Sequence, residues 1–301
     1  MKIFITGGTG YLGSVLVEHL LGAGHEISGL GRSEASRHTL AQAGVTPVAG
    51  SLDDTGVLYD AAAHADAVIH AAVDYAMTKE STVTELAAVR ALAKGAGAAG
   101  TGKPVLFTST GLVYGFEPNK DVTEDAVLPE ISAQPVKAQA ERIVLDAPGI
   151  TPIVFRAGLI FGRGGSGLVT GLIRSAIDNG AATYLDEGGN SWVPIHVDDL
   201  AALYTSAIAR PTAGVFNAVG DVPFTFRALA EAIGELTGKP AVSIPLSVAE
   251  STIGPASRVL TTSSRLVATK ARETFGWAPS ARSLLDDVRA GSYASLLSAE
   301  Q

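Results

Sequence analysis

The first half of the chain alternates short, unbroken runs of mostly apolar residues with longer segments whose apolar positions recur every three or four residues. The short runs are Ile3 to Ile5, Ile27 to Leu30, Thr46 to Val48, Ala67 to His70, Val105 to Phe107 and Pro152 to Phe155. Hydrophobicity that is continuous rather than alternating predicts strands buried on both faces. Between the runs, Leu12, Val15, Leu16 and Leu20 keep helical spacing, as do Val136, Ala140, Ile143, Val144 and Ala147. Parallel strands need crossovers, so this order predicts an α/β chain built on a doubly wound parallel sheet. The pattern covers residues 1–160, with parts of 190–220 expected to return to the same unit. From 161 to 301, helices around 165–179, 198–209, 224–237 and 282–296 are separated by irregular connections bearing Gly and Pro. A smaller, mixed, discontinuous carboxy-terminal lobe is expected there, shaped for a substrate.

Composition narrows the function classes. With 301 residues, 47% of them hydrophobic, the chain can bury a sizeable core. A formal net charge of -8 and the lack of any long Lys/Arg run argue against nucleic acid or an anionic membrane as partner, leaving a small molecule. There is no cysteine, which excludes disulfides, a thiolate nucleophile and thiolate-held metals, and fits a reducing cytoplasm. The opening Met1-Lys2-Ile3-Phe4-Ile5-Thr6 is too short an apolar run for a signal peptide. Even the alanine-rich stretch 86–99 is interrupted by Arg90 and Lys94, so no membrane span is expected. The six histidines are scattered without metal-binding spacing, and no metal site is expected.

The first strand runs directly into Thr6-Gly7-Gly8-Thr9-Gly10-Tyr11-Leu12-Gly13 and then into an amphipathic helix. Glycines here permit a tight turn, close approach of backbone to a pyrophosphate and close helix–strand packing, while the helix amino terminus offers N–H donors. The strand before and the helix after give this motif the context of a dinucleotide site, with Gly7, Thr9, Gly10, Tyr11, Leu12 and Gly13 as candidate contacts. A phosphate-binding loop of the Lys-Ser/Thr kind is excluded, since no such pair follows. The second strand ends in Leu30-Gly31-Arg32-Ser33; an arginine there accommodates a 2′-phosphate, so NADP is favoured, with Arg32 and Ser33 as its contacts. Glu34 lies close enough to keep NAD open.

After the fifth strand comes Leu106-Phe107-Thr108-Ser109-Thr110-Gly111-Leu112-Val113-Tyr114-Gly115, whose hydroxyls fall at a strand's carboxyl end, where ligands of such sheets sit. Taken with the TGGTGYLG turn, Lys137 followed by Glu141, the stretch Phe155-Arg156-Ala157-Gly158-Leu159-Ile160-Phe161-Gly162, the stretch Trp192 to Leu200, and Phe275-Gly276-Trp277-Ala278-Pro279, the chain resembles the extended and atypical short-chain dehydrogenases/reductases, which include NAD-dependent epimerase/dehydratase-like proteins. The resemblance implies a Rossmann fold, Thr110 as the hydroxyl that bonds the reacting oxygen, and Lys137 as the lysine that holds the nicotinamide ribose. It also implies cofactor contacts at Leu52, Ala71, Ala72, Val73, Phe155, Ala157 and Gly158, and homodimerisation through the helices at about 81–98 and 133–147. The tyrosine that should stand four residues before the lysine is replaced by Ala133.

Several residues keep two readings. Lys137 is either a surface charge paired with Glu141 or the ribose-binding lysine; Tyr114 and Tyr75 are either packing aromatics or replacement proton donors. His70 is a core histidine or a catalytic one. His196 with Asp198 and Asp199 is a metal or acid–base cluster or, as the resemblance implies, a structural turn with Asp198 as helix N-cap. Phe161, the loop Gly162 to Gly167, Tyr184 and Trp192 are expected to shape an apolar pocket. The functions consistent with these residues are an NADP-dependent oxidoreductase passing hydride to a small, rather apolar carbonyl, imine or activated double bond; an NADP(H)-binding redox sensor; and a nucleotide-sugar epimerase or dehydratase with bound NAD.

Overall fold

A computed structural model describes residues 1–73, 78–115, 120–130 and 132–298. The amino-terminal part runs β1 (Lys2–Thr6), α1 (Tyr11–Gly22), β2 (Glu26–Gly31), α2 (Glu34–Gln42), β3 (Thr46–Ala49), α3 (Thr55–His64), β4 (Ala67–His70), α4 (Lys79–Gly97), β5 (Lys103–Thr110), a 3-10 turn (Gly111–Tyr114), β6 (Asp121–Val122), α5 (Pro135–Leu145) and β7 (Ile150–Ala157). Then follow β8 (Leu159–Phe161), α6 (Gly167–Asn179), β9 (Ala182–Leu185), β10 (Ser191–Trp192), β11 (Pro194–His196), α7 (Val197–Ala209) and β12 (Gly214–Ala218). The chain closes with β13 (Phe224–Thr225), α8 (Phe226–Thr237), β14 (Ala241–Ile244), α9 (Leu246–Ile253), β15 (Arg265–Leu266), α10 (Thr269–Phe275), α11 (Leu284–Ala290) and α12 (Ser295–Ser298).

Seven strands form one parallel sheet in the order β12-β7-β5-β4-β1-β2-β3. The order reverses between β1 and β4, which opens a crevice at their carboxyl ends, as such switch points do. The unbroken apolar runs are explained by the two faces. Ile3, Ile5, Leu106, Ile153 and Phe155 enter a core with Leu16, Leu203 and Phe275 from α1, α7 and α10. Their neighbours Phe4, Val105, Phe107 and Val154 enter a second core with Leu58, Leu92 and Val144 from α3, α4 and α5. Successive side chains of a strand point to opposite faces, so burial of both demands apolar residues at every position.

A third core, of Phe161, Ile173, Trp192, Phe226, Leu229, Val288 and Tyr293, belongs to the carboxy-terminal elements. The helix expected at 282–296 is interrupted at Gly291: α11 stops at Ala290, and Asp287 accepts the backbone N–H of Ser292 at 3.0 Å. Among the described residues no helix is long and apolar enough to cross a membrane.

Candidate active site

The glycine-rich turn lies against the start of the segment after β4. Gly7 has φ +79°, and a Cβ there would stand 2.6 Å from the Ala72 nitrogen. At Gly13 a Cβ would stand 1.9 Å from the Gly7 carbonyl oxygen, so only glycine lets α1 approach the turn this closely. Gly10 N–H bonds the Gly7 carbonyl at 2.9 Å, and Gly10 caps α1 with no side-chain acceptor on its first turn. This leaves a cradle of backbone shaped for a close anionic group. Leu12 is buried in the core and offers only its backbone. The Tyr11 hydroxyl donates to the Gly162 carbonyl at 2.7 Å, so its ring ties the turn to the loop 162–167. From the other side, Tyr293 accepts the N–H of Gly162 at 3.0 Å and donates to the Gly165 carbonyl at 2.8 Å. Arg163 adds ion pairs to Glu18 of α1 and Asp198 of α7.

At the end of β2, Arg32 is exposed. Ser33 is the N-cap of α2 and exchanges hydrogen bonds with Ser36 in a capping box, so its hydroxyl already serves the helix. Arg37, which the sequence reading missed, folds back so that Nη1 reaches the Gly31 carbonyl at 3.3 Å. Together with His38 it borders a surface depression beside Glu34 and Ala35. Leu52 is half-buried against the second core, Ala71 and Ala72 are half-buried, and Val73 is exposed. Tyr75 lies outside the described residues.

The end of β5 and the turn after it divide into an open and a sealed part. Thr110 is half-buried, and its Oγ1 accepts the N–H of Leu112 at 3.3 Å, which leaves the hydroxyl proton free to donate. Ser109 is buried and donates to Glu141 Oε1. Glu141 also accepts Arg156 Nε at 3.1 Å and Nη2 at 2.6 Å. The surface pairing of Lys137 with Glu141 is therefore corrected: Glu141 points inward, and Lys137 Nζ instead donates to Glu85 Oε1 of α4 at 2.7 Å, 5.2 Å above the Phe107 ring. Spacing along one helix carried no signal for a partner 52 residues away.

Tyr114 is placed in the core rather than open to the crevice. It is 6% exposed, its hydroxyl donates to Asn217 Oδ1 at 2.9 Å, and Arg156 lies 4.5 Å from its ring centre. Burial pushes its phenol up to about 12, even with Arg156 beside it. His70 is wholly buried; Nδ1 bonds Thr6 Oγ1 at 2.8 Å, the ring stacks on Phe107, and Nε2 has no partner among the described residues. Burial first, then the Lys137 charge, lower its pKa to about 3, so it is a neutral imidazole.

Of the remaining positions, Phe155 is wholly buried among Tyr204, Phe216 and Phe275, so its ring cannot meet a cofactor. Ala157 ends β7, and Gly158 gives room to the Val193 carbonyl, which would lie 2.1 Å from a Cβ. Asp198 is not the N-cap: His196 is, accepting the Asp198 N–H at 3.2 Å, because Asp198 turns to Arg163 and His19. Asp199 accepts from Ser280 and Ala281, and the described residues contain no acid–histidine group that could hold a metal. Phe161 and Trp192 are core rather than pocket lining, whereas Tyr184 is half-buried under Arg227.

The chain is similar to known proteins in sequence and in fold. An uncharacterized protein of Saccharomyces cerevisiae, YLL056C, is 30% identical over 96% of this chain and 98% of its own. The fold is shared with UDP-glucose 4-epimerase of Thermotoga maritima, solved with UDP-glucose (TM-score 0.81, 20% identity, all of both chains), and with the human epimerase family protein SDR39U1, solved with NADPH (TM-score 0.77, 20% identity, 97% of this chain and 99% of that one). The NAD dependent epimerase/dehydratase family matches residues 3–219, across the turn, the Thr110 segment, Lys137 and the whole central sheet, and the chain belongs to that family.

Proposed function

We propose that the protein is an NADP-dependent oxidoreductase that reduces a small, rather apolar carbonyl, imine or activated double bond. The observation that carries the reading is the pairing, at one crevice, of the Gly7–Gly13 cradle with a lysine held inward at the far side. The cradle fits a dinucleotide pyrophosphate, because Gly7 and Gly13 let the turn close tightly on α1 and on the segment after β4, and no side chain caps the amino terminus of α1. Arg32 and Arg37 supply two guanidinium groups for a 2′-phosphate, with planar forks suited to that anion. The human family relative solved with NADPH supports the same choice.

When bound in this crevice, the nicotinamide would supply the hydride chemistry, a hydrogen with two electrons for the acceptor carbon. Thr110 donates its free hydroxyl proton to the acceptor oxygen or nitrogen and so orients it. Lys137 has three N–H bonds, of which Glu85 takes one; another would hold a ribose hydroxyl of the cofactor, and the ammonium would deliver, directly or through water, the proton that completes the reduction. Proximity and fixed donors then carry the acceleration that the family's phenol would otherwise share. The test is NADPH oxidation over a panel of small ketones, imines and enones. Turnover that falls at least tenfold in Thr110→Ala and in Lys137→Met is expected; turnover undiminished in both variants overturns these roles.

A second reading, a binding protein that senses NADP(H) without turnover, is favoured by one observation: Ala133 replaces the phenol and the nearby Tyr114 is sealed against Asn217. It predicts nucleotide binding with no acceptor-dependent oxidation. Epimerisation with bound NAD leans on the same missing phenol and ranks last.

A further inference from the structure

We propose that Glu85 sets the balance between oxidised and reduced nicotinamide in this crevice by neutralising Lys137; the proposal rests on the dinucleotide reading above. Lys137 Nζ and Glu85 Oε1 are 2.7 Å apart, and their side chains are only 12% and 8% exposed. The ammonium stands 5.2 Å over Phe107, whose register partner is His70, the last residue of β4, so the pair lies at the sheet's ligand-binding end. Burying an ion pair contributes little net stability compared with well-packed apolar residues, so its presence beside a crevice calls for another role.

The charge chemistry supplies one. Oxidised nicotinamide carries a positive ring and reduced nicotinamide a neutral one. An unbalanced ammonium next to the ring would penalise the oxidised cofactor, and an unbalanced carboxylate would favour it, with low local dielectric enlarging both effects. No other group described around Lys137 can stand in for Glu85. Glu141 is engaged by Ser109 and Arg156, Arg156 is itself neutralised by Glu141, and His70 is a neutral imidazole. Glu85 on α4 therefore fixes the net charge at the nicotinamide end, acting through Lys137 as a positioning and neutralising residue.

The experiment measures dissociation constants for NADP+ and NADPH on the wild-type protein, Glu85→Gln, Lys137→Met and the double variant, with circular dichroism to verify folding. The readout is the ratio of the two constants. Glu85→Gln should raise the ratio (oxidised over reduced) by about three- to tenfold, Lys137→Met should lower it by a similar factor, and the double variant should return to within about twofold of wild type. A merely structural role would weaken both nucleotides together. Ratios unchanged in both single variants, or moving in the same direction, overturn the proposal while leaving the dinucleotide site standing. A wild-type protein that binds neither nucleotide overturns the site and the proposal with it. Should Glu85→Gln fail to fold, Glu85→Asp, which retains the charge, must retain the wild-type ratio while Lys137→Met lowers it; any other pair of results contradicts the proposal.

Discussion

Glu141 and Glu85 are buried carboxylates on the neighbouring helices α5 and α4, and each meets a cation, but the two pairs are built differently. Glu141 receives both Nε and Nη2 of Arg156 and the hydroxyl of Ser109, with the arginine stacked on Tyr114 and 6% exposed. Glu85 receives a single ammonium, from Lys137 in the first turn of α5. A bidentate fork with every element packed around it is an architectural joint, here fastening α5 to β5 and β7. A point charge with donors to spare suits a ligand.

Removing one partner of the sealed pair should have the largest effect. Arg156→Met strands the Glu141 carboxylate and should cost about 3–5 kcal/mol in chemical denaturation. A loss below about 1 kcal/mol would mean that the joint is not sealed.

The next effect is a pH dependence beside the other pair. The native state holds His70 neutral down to about pH 3, while the unfolded chain binds its proton near the ordinary histidine value. The folded value is the depressed one, so stability is full above pH 6.5 and falls as pH drops toward 3. Relative to His70→Asn, the wild-type protein should lose about 2 kcal/mol more between pH 7 and pH 5. Parallel losses in the two proteins would show that His70 is not the source.

The smallest effect sharpens the contrast from the sealed side. Tyr114→Phe removes one hydrogen bond to Asn217, whose amide still bonds the Val122 and Val267 carbonyls. It should cost about 0.5–1.5 kcal/mol and leave turnover unchanged. A hundredfold loss of turnover would restore the phenol as proton donor.

The strands and the glycine-rich turn were legible in the sequence in a way that the partners within the two buried pairs were not. Strands such as Val105 to Phe107 stand out because two cores demand apolar residues at consecutive positions. The glycine-rich turn is legible because its glycines are fixed by backbone clashes that any side chain would create. What could not be read were choices of partner. Glu141 follows Lys137 at ion-pair spacing along a helix, yet the helix turns it under the sheet toward Arg156, and Lys137 reaches across to α4. Asp198 has the right chemistry and position for an N-cap, but Arg163 and His19 compete for its carboxylate, and His196 takes the role. Both outcomes depend on tertiary neighbours that local patterns do not encode.

The central claim is a dinucleotide crevice that prefers the 2′-phosphorylated cofactor, and its most direct test is a titration of the wild-type protein and of Arg32→Ala/Arg37→Ala with NADPH and NADH. The account predicts that NADPH binds the wild-type protein at least about tenfold more tightly than NADH, and that the double variant loses this preference while still binding NADH. Equal affinity for the two nucleotides in the wild-type protein, or binding of neither, would contradict it.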